Sequence, residues 1–175
     1  MDMRETKITG ELMFDGKIFK VERDIVLCPN GNESFREIVR HIGGAGVLCV
    51  TPNEEVLLVK QFRYAYDEVM YEIPAGKLNE GEDPYVSAMR EFEEETGNKA
   101  DKLDYLGCIY PTVGYCSEKI YIYLATNYVP TQTNYDEDEL IEIHYIPLKE
   151  VVKMISNGEI KDAKTIAAIM YYISR

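Results

Sequence analysis

Residues 72–98 read EIPAGKLNEGEDPYVSAMREFEEETGN, and their reading decides the fold. Four glutamates, Glu91, Glu93, Glu94 and Glu95, crowd into five positions directly behind Arg90. From Pro84 onward, Val86, Met89, Arg90 and the acidic set take a helical spacing, and Gly97 suits the position just past a helix end. Like charges three and four apart on a helix repel by about 0.2–0.5 kcal/mol per pair. Solvent, arginine or a metal ion must offset that repulsion.

On a helix Glu91, Glu94 and Glu95 share one face, taken here as its exposed side, while Glu93 turns away. Three oxygen-only donors on one face suit a hard divalent cation such as Mg²⁺ or Mn²⁺. A solvated charged face is the alternative. Arg90, four residues before Glu94, can brace the cluster.

Composition narrows the choice. The formal net charge is −12, which argues against broad nucleic-acid or anionic-membrane binding. An anionic substrate would have to be drawn by a few placed Arg or Lys side chains or by bound cations. No apolar run reaches membrane-spanning length. The opening MDMRETKITGELMF has no basic-then-apolar leader pattern. Cys28, Cys49, Cys108 and Cys116 are scattered without a CxxC. The expectation is a cytoplasmic protein with reduced thiols.

Outward from the acidic helix, the chain reads as strands, one helix, more strands, then two helices. Residues 5–28 alternate loosely about Asp15-Gly16, a hairpin pattern. Asn30-Gly31-Asn32 marks the next turn, before FREIVRHIG. GVLCV (46–50) and EVLLVKQF (55–62) read as paired strands, and EVMYEIPA (68–75) as another. KLDYLGCIY (102–110), EKIYIYLATNY (118–128) and LIEIHYIP (140–147) follow. Helices are expected over 148–156 and, behind Asp162 as N-cap, over 163–173. That order gives an α+β fold rather than a strictly alternating one. Gly43-Gly44-Ala45-Gly46 lacks a following Gly-Lys-Ser/Thr, so close strand packing explains it better than phosphate binding.

Gly76, five residues, Glu82, seven residues, then REFEEETG follow the 23-position Nudix box, with Asn98 where an aliphatic residue is usual. The sequence resembles a Nudix hydrolase. VKQFRYAYDEVMYEIPAGKLNEGE, YPTVGYCSEKIYIYLA and GEIKDAKTIAAI are similar to its ADP-ribose pyrophosphatase branch, a likeness covering roughly residues 35–173. The resemblance implies a mixed β-sheet sandwiched between helices, preceded by an N-terminal antiparallel β-hairpin or sheet. It divides the chain into a strand region over 1–40, used for dimerisation and possibly swapped, and a hydrolase domain over 41–175.

The same resemblance assigns roles. Glu91 and Glu95 are the principal metal ligands, with Glu94 and the Ala75 carbonyl as further donors. Arg90 and Glu82 orient the loop. Arg63 contacts the diphosphate, Arg36 the adenine or phosphate side, and Glu72 a ribose hydroxyl or the surroundings of the metal. Phe19 is the candidate to stack on adenine, and could act on the partner's site. In YDEDELIEI (135–143), Glu137 is the first choice for general base and Glu139 the second. The implied reaction is Mg²⁺- or Mn²⁺-dependent hydrolysis of ADP-ribose by a homodimer. GDP-mannose or another nucleoside diphosphate sugar is the alternative substrate, and a non-catalytic ADP-ribose sensor the alternative class.

Overall fold

The computed structural model describes residues 2–135 and 140–175. They form two compact units, one of 2–43 with 110–119, the other of 44–109 with 120–135 and 140–175.

The first unit is a three-stranded antiparallel sheet, β1 (Thr6–Asp15), β2 (Phe19–Leu27) and β3 (Glu33–His41), in that order. The expected hairpin about Asp15-Gly16 joins β1 to β2. FREIVRH, which follows the Asn30-Gly31-Asn32 turn, is the third strand. A loop from 110–119 lies along β3, where the Val39 N–H donates to the Tyr115 carbonyl at 2.8 Å and the Ser117 N–H to the Val39 carbonyl at 2.9 Å. All ten residues of β1 are exposed, Ile8, Leu12, Met13 and Phe14 among them.

The second unit holds a seven-stranded mixed sheet. Its path runs β12 (Glu142–Pro147), β5 (Glu55–Arg63), β4 (Gly44–Val50), β10 (Ile120–Ala125), β9 (Asp104–Ile109), with β6 (Glu68–Glu72) on β5 and β7 (Ala75–Lys77) on β4. Only β4 and β10 run parallel among these pairs. Strand periodicity builds a core on each face. Ala45, Val47 and Cys49 point to one side, where they meet Ala88 and Phe92 of α1 (Pro84–Thr96). Leu48 and Val50 point to the other, where they meet Val151 and Met154 of α2 (Leu148–Ser156) and Ala168 and Ile169 of α3 (Ala163–Ile173). The sheet is thus sandwiched between helices, as the resemblance implied.

The stretch 68–75, read as one strand, is broken. β6 stops at Glu72 and β7 starts at Ala75, because Pro74 has no N–H to give a ladder. Its carbonyl instead accepts from the Val47 N–H at 2.9 Å. The stretch 118–128 also divides, and β8 (Asn98–Ala100) with β11 (Tyr128–Pro130) forms a small antiparallel pair that the sequence did not announce. Gly44 and Gly46 do allow close packing: a Cβ on Gly44 would lie 2.8 Å from the Gly76 carbonyl oxygen.

Candidate active site

α1 begins and ends where its sequence says. Asp83 caps it, accepting from the Tyr85 N–H at 2.9 Å, and Pro84 occupies the first turn. Gly97 closes it at φ 61°, a left-handed conformation that favours glycine. Asn98 is buried there, and its amide donates to the Thr96 carbonyl at 2.9 Å. That bond accounts for a polar residue in a position where an apolar one is usual.

Contrary to the exposed placement read from the sequence, Glu95 is only 5% exposed. The segment 73–75 covers its face of the helix, and Glu95 Oε2 accepts the Ala75 N–H at 3.0 Å. Glu91 reaches the same backbone one residue on. A Cβ on Gly76 would fall 1.9 Å from the Glu91 carboxyl carbon, so the carboxylate occupies the space that glycine leaves. Two carboxylates from successive turns of α1 are therefore seated against successive residues of β7.

Arg90 answers the question of charge repulsion. Its Nη1 donates to Glu91 at 2.7 Å and to Glu94 at 3.0 Å. Its Nε and Nη2 fork onto the two oxygens of Glu82, each at 3.1 Å. Glu82 in turn accepts the Asn79 N–H at 2.8 Å, which fastens the loop before α1. The Arg90 guanidinium holds the Glu82 carboxyl below its ordinary range, and Glu82 foremost pushes the Arg90 pKa up.

A second cluster lies at the end of β6. Arg63 forks onto Glu72, Nε to Oε1 at 2.6 Å and Nη2 to Oε2 at 2.7 Å. Glu72 is 2% exposed, and its Oε2 also accepts from Lys164 of α3. Burial alone would raise the Glu72 pKa, but the bonds from Arg63 and the charge of Lys164 outweigh it and hold the carboxyl below its ordinary range. Lys164 is buried too, and pairs with Asp162 Oδ1 at 3.1 Å. Asp162 caps α3 as expected, and its Oδ2 also accepts the Thr165 hydroxyl at 2.6 Å. Thr165 Oγ1 accepts the Ile73 N–H at 2.8 Å. Lys164 and Thr165 fall within GEIKDAKTIAAI, quoted for its family likeness, but neither was singled out in the sequence.

Arg63, Glu72, Ala75, Glu82, Arg90, Glu91, Glu94 and Glu95 all belong to the second unit. Arg36 and Phe19 belong to the first. Arg36 is engaged with Glu5, through Nε at 2.9 Å, and with the Phe35 carbonyl at 2.7 Å. Phe19 packs on Phe14, ring centroids 5.8 Å apart. Glu137 and Glu139 lie outside the described residues. The chain leading to them is tied to the end of α1, with the Thr131 N–H on the Gly97 carbonyl at 2.6 Å and the Asn134 N–H on the Glu94 carbonyl at 2.9 Å.

The donor set fits a divalent cation held in part by its substrate. Among the described residues no three carboxylates or imidazoles are gathered into a ready-made metal cage. Mg²⁺ commonly takes one or two protein carboxylates and completes its shell with water and phosphate oxygens. Glu91 and Glu95, seated against β7 at neighbouring residues, could supply that pair.

The chain is similar to several known proteins. The family model described as NUDIX domain matches residues 40–169. An ADP-ribose pyrophosphatase of Bacillus subtilis (strain 168) is 39% identical, over 97% of this chain and 92% of its own. A methanol dehydrogenase activator of Bacillus methanolicus is 37% identical over 95% and 91%. A GDP-mannose pyrophosphatase of Yersinia enterocolitica is 32% identical over 98% and 96%. A crystal structure of an ADP compounds hydrolase superposes with a TM-score of 0.86 over 99% of this chain and 95% of that one; at 22% identity it speaks to the fold.

Proposed function

The chain belongs to the NUDIX domain family, and on that premise we propose that it hydrolyses the diphosphate of ADP-ribose to AMP and ribose 5-phosphate, with Mg²⁺ or Mn²⁺ as cofactor. The observation that carries this reading is the seating of Glu91 and Glu95 of α1 against Gly76 and Ala75 of β7. It sets two carboxylates on a rigid helix, with Arg90 fixing Glu91, Glu94 and the loop through Glu82.

In the proposed mechanism, Glu91 and Glu95 hold the cation, with Glu94 and the Ala75 carbonyl as additional donors. The cation, when bound, neutralises charge on the diphosphate and lowers the pKa of coordinated water. Arg63 offers its guanidinium to a diphosphate oxygen, the planar fork suiting that anion. Glu72 orients Arg63. Glu137, or else Glu139, takes the proton from the attacking water. Replacing the true base with Gln should lower kcat far more than it changes KM.

We read the N-terminal sheet over 1–40 as the homodimerisation region, with the hydrolase domain over 41–175. An exposed edge strand carrying Ile8, Leu12, Met13 and Phe14 invites pairing with a second chain. Arg36 and Phe19 of that region are proposed to contact the adenosine side of the substrate, in trans if the strands swap. A cytoplasmic location is supported by four free cysteines. No helix among the described residues is long and apolar enough to cross a membrane.

Hydrolysis in ¹⁸O-labelled water tests the reading. Label in AMP is expected, from attack on the adenosyl phosphorus. Label in ribose 5-phosphate would move the attacked atom, and no AMP release under Mg²⁺ or Mn²⁺ would sink the activity. GDP-mannose is the second reading, favoured by the 32% identical pyrophosphatase.

A further inference from the structure

Lys164 is a buried cation that the proposed mechanism leaves unused. It sits in the first turn of α3, and its ammonium is shared by Glu72 and Asp162. Glu72 Oε2 is the meeting point, since it accepts from both Lys164 and Arg63 Nη2. The four side chains balance: two cations, Arg63 and Lys164, face two anions, Glu72 and Asp162. Asp162 is further satisfied by the Thr165 N–H at 2.9 Å and by its place at the helix N-terminus.

Exposure divides the four unequally. The Arg63 side chain is 40% exposed, whereas those of Glu72, Lys164 and Asp162 are 3%, 10% and 17% exposed. Arg63 is therefore the one member of the tetrad that a dissolved anion can readily approach. Without Lys164, the full charge of Glu72 would fall on Arg63, and the pair would present little net charge to an anion. With Lys164 bonded to the same oxygen, Glu72 is partly neutralised from behind. Arg63 is held in a fixed orientation and keeps effective positive charge on its exposed side.

We infer that Lys164 is a positioning residue for binding the substrate's diphosphate: through Glu72 it orients Arg63 and leaves its charge available, making the first turn of α3 part of the binding machinery. This deepens the proposed function and rests on that reading for its consequence, though not for the contact itself. Lys164 need touch neither substrate nor metal. Its action differs from that of Thr165, which binds the Ile73 backbone and fixes the connection between β6 and β7.

The test pairs a spectroscopic readout with kinetics in the full-length protein. The Arg63 Nε–H, bonded to Glu72, should give a slowly exchanging proton resonance, identified by its loss in Arg63→Lys. In Lys164→Met that resonance should shift or broaden. KM for ADP-ribose should rise on the order of tenfold with kcat little changed, as for loss of a charge-assisted bond that acts on binding. Lys164→Arg should restore both. If Lys164→Met fails to fold, Lys164→Gln serves, since it keeps a donor but not the charge. An unmoved Arg63 resonance overturns the inference whatever happens to KM. So does a moved resonance with unchanged KM in an active enzyme. If the wild type does not hydrolyse ADP-ribose, the substrate reading fails separately, and the resonance alone decides whether Lys164 positions Arg63.

Discussion

The Ala75 N–H donates to Glu95 Oε2 at 3.0 Å, across the space between β7 and α1. One residue earlier Pro74 has no N–H, and one before that the Ile73 N–H donates to Thr165 Oγ1 of α3 at 2.8 Å. The segment 73–75 is thus held by helices from both faces of the sheet, through alternate backbone groups. Side-chain chemistry at Glu95 and Thr165 becomes a matter of backbone satisfaction as well as function.

Glu95→Gln and Glu95→Ala should therefore separate. Gln can still accept the Ala75 N–H, so folding should survive while turnover falls by about a hundredfold or more, as expected when a group acting on the reacting centre is lost. Ala leaves that half-buried N–H without its side-chain acceptor and should in addition cost about 1 kcal/mol. Urea unfolding beside turnover checks both. An active Glu95→Gln enzyme would remove Glu95 from the proposed cation site.

Gly76→Ala makes a sharper test of geometry. The new methyl would overlap the Glu91 carboxylate, the far end of a flexible side chain that can swing away. We expect near-normal folding, a displaced Glu91, and turnover lowered by on the order of a hundredfold, the scale of a misplaced group at a reacting centre. Thermal melting with turnover distinguishes this from general destabilisation. Full activity would mean that the seat of Glu91 is immaterial.

Thr165→Val keeps the shape of a fully buried side chain but removes the acceptor of the Ile73 N–H. A loss of about 1–3 kcal/mol is expected from that unpaired group. Amide exchange at Ile73 should quicken selectively. Unchanged exchange would mean that α3 does not hold this segment.

Acid should destabilise the protein through Glu72 and Glu82. Both have folded pKa values below their ordinary 4.5, Glu82 chiefly through Arg90 and Glu72 through Arg63 and Lys164 against its burial. The unfolded chain binds protons first, so these groups' stabilisation is present above 4.5 and is lost as pH falls from there through the folded values. Arg90→Gln should flatten that loss. Urea midpoints from pH 7 downward measure it, and an unchanged slope in Arg90→Gln would contradict the assigned cause.

α1 was legible in the sequence from Pro84 at its start and Gly97 at its end, but its core face was not: Val86, part of the spacing that announced the helix, is exposed, and Ala88 and Phe92 are the buried apolar residues. The carboxylates were legible as a set, but the burial of Glu95 was not. Nothing in REFEEETG shows that segment 73–75 will fold over that face. Glu72 and Arg63 were found through their motifs, whereas Lys164 was missed because its meaning depends on a carboxylate 92 residues away. Long-range pairing of that kind leaves no periodic trace. The break at Pro74 was available from the missing N–H alone.

The most direct measurement compares kcat/KM for AMP release from ADP-ribose with that for GMP release from GDP-mannose, with Mg²⁺ present and with Mg²⁺ removed by chelator. The account predicts Mg²⁺-dependent turnover strongly favouring ADP-ribose, restored when the metal is returned. Turnover undiminished by chelation, or preference for GDP-mannose, would contradict it: the first denies the cation to Glu91 and Glu95, and the second denies ADP-ribose as the substrate.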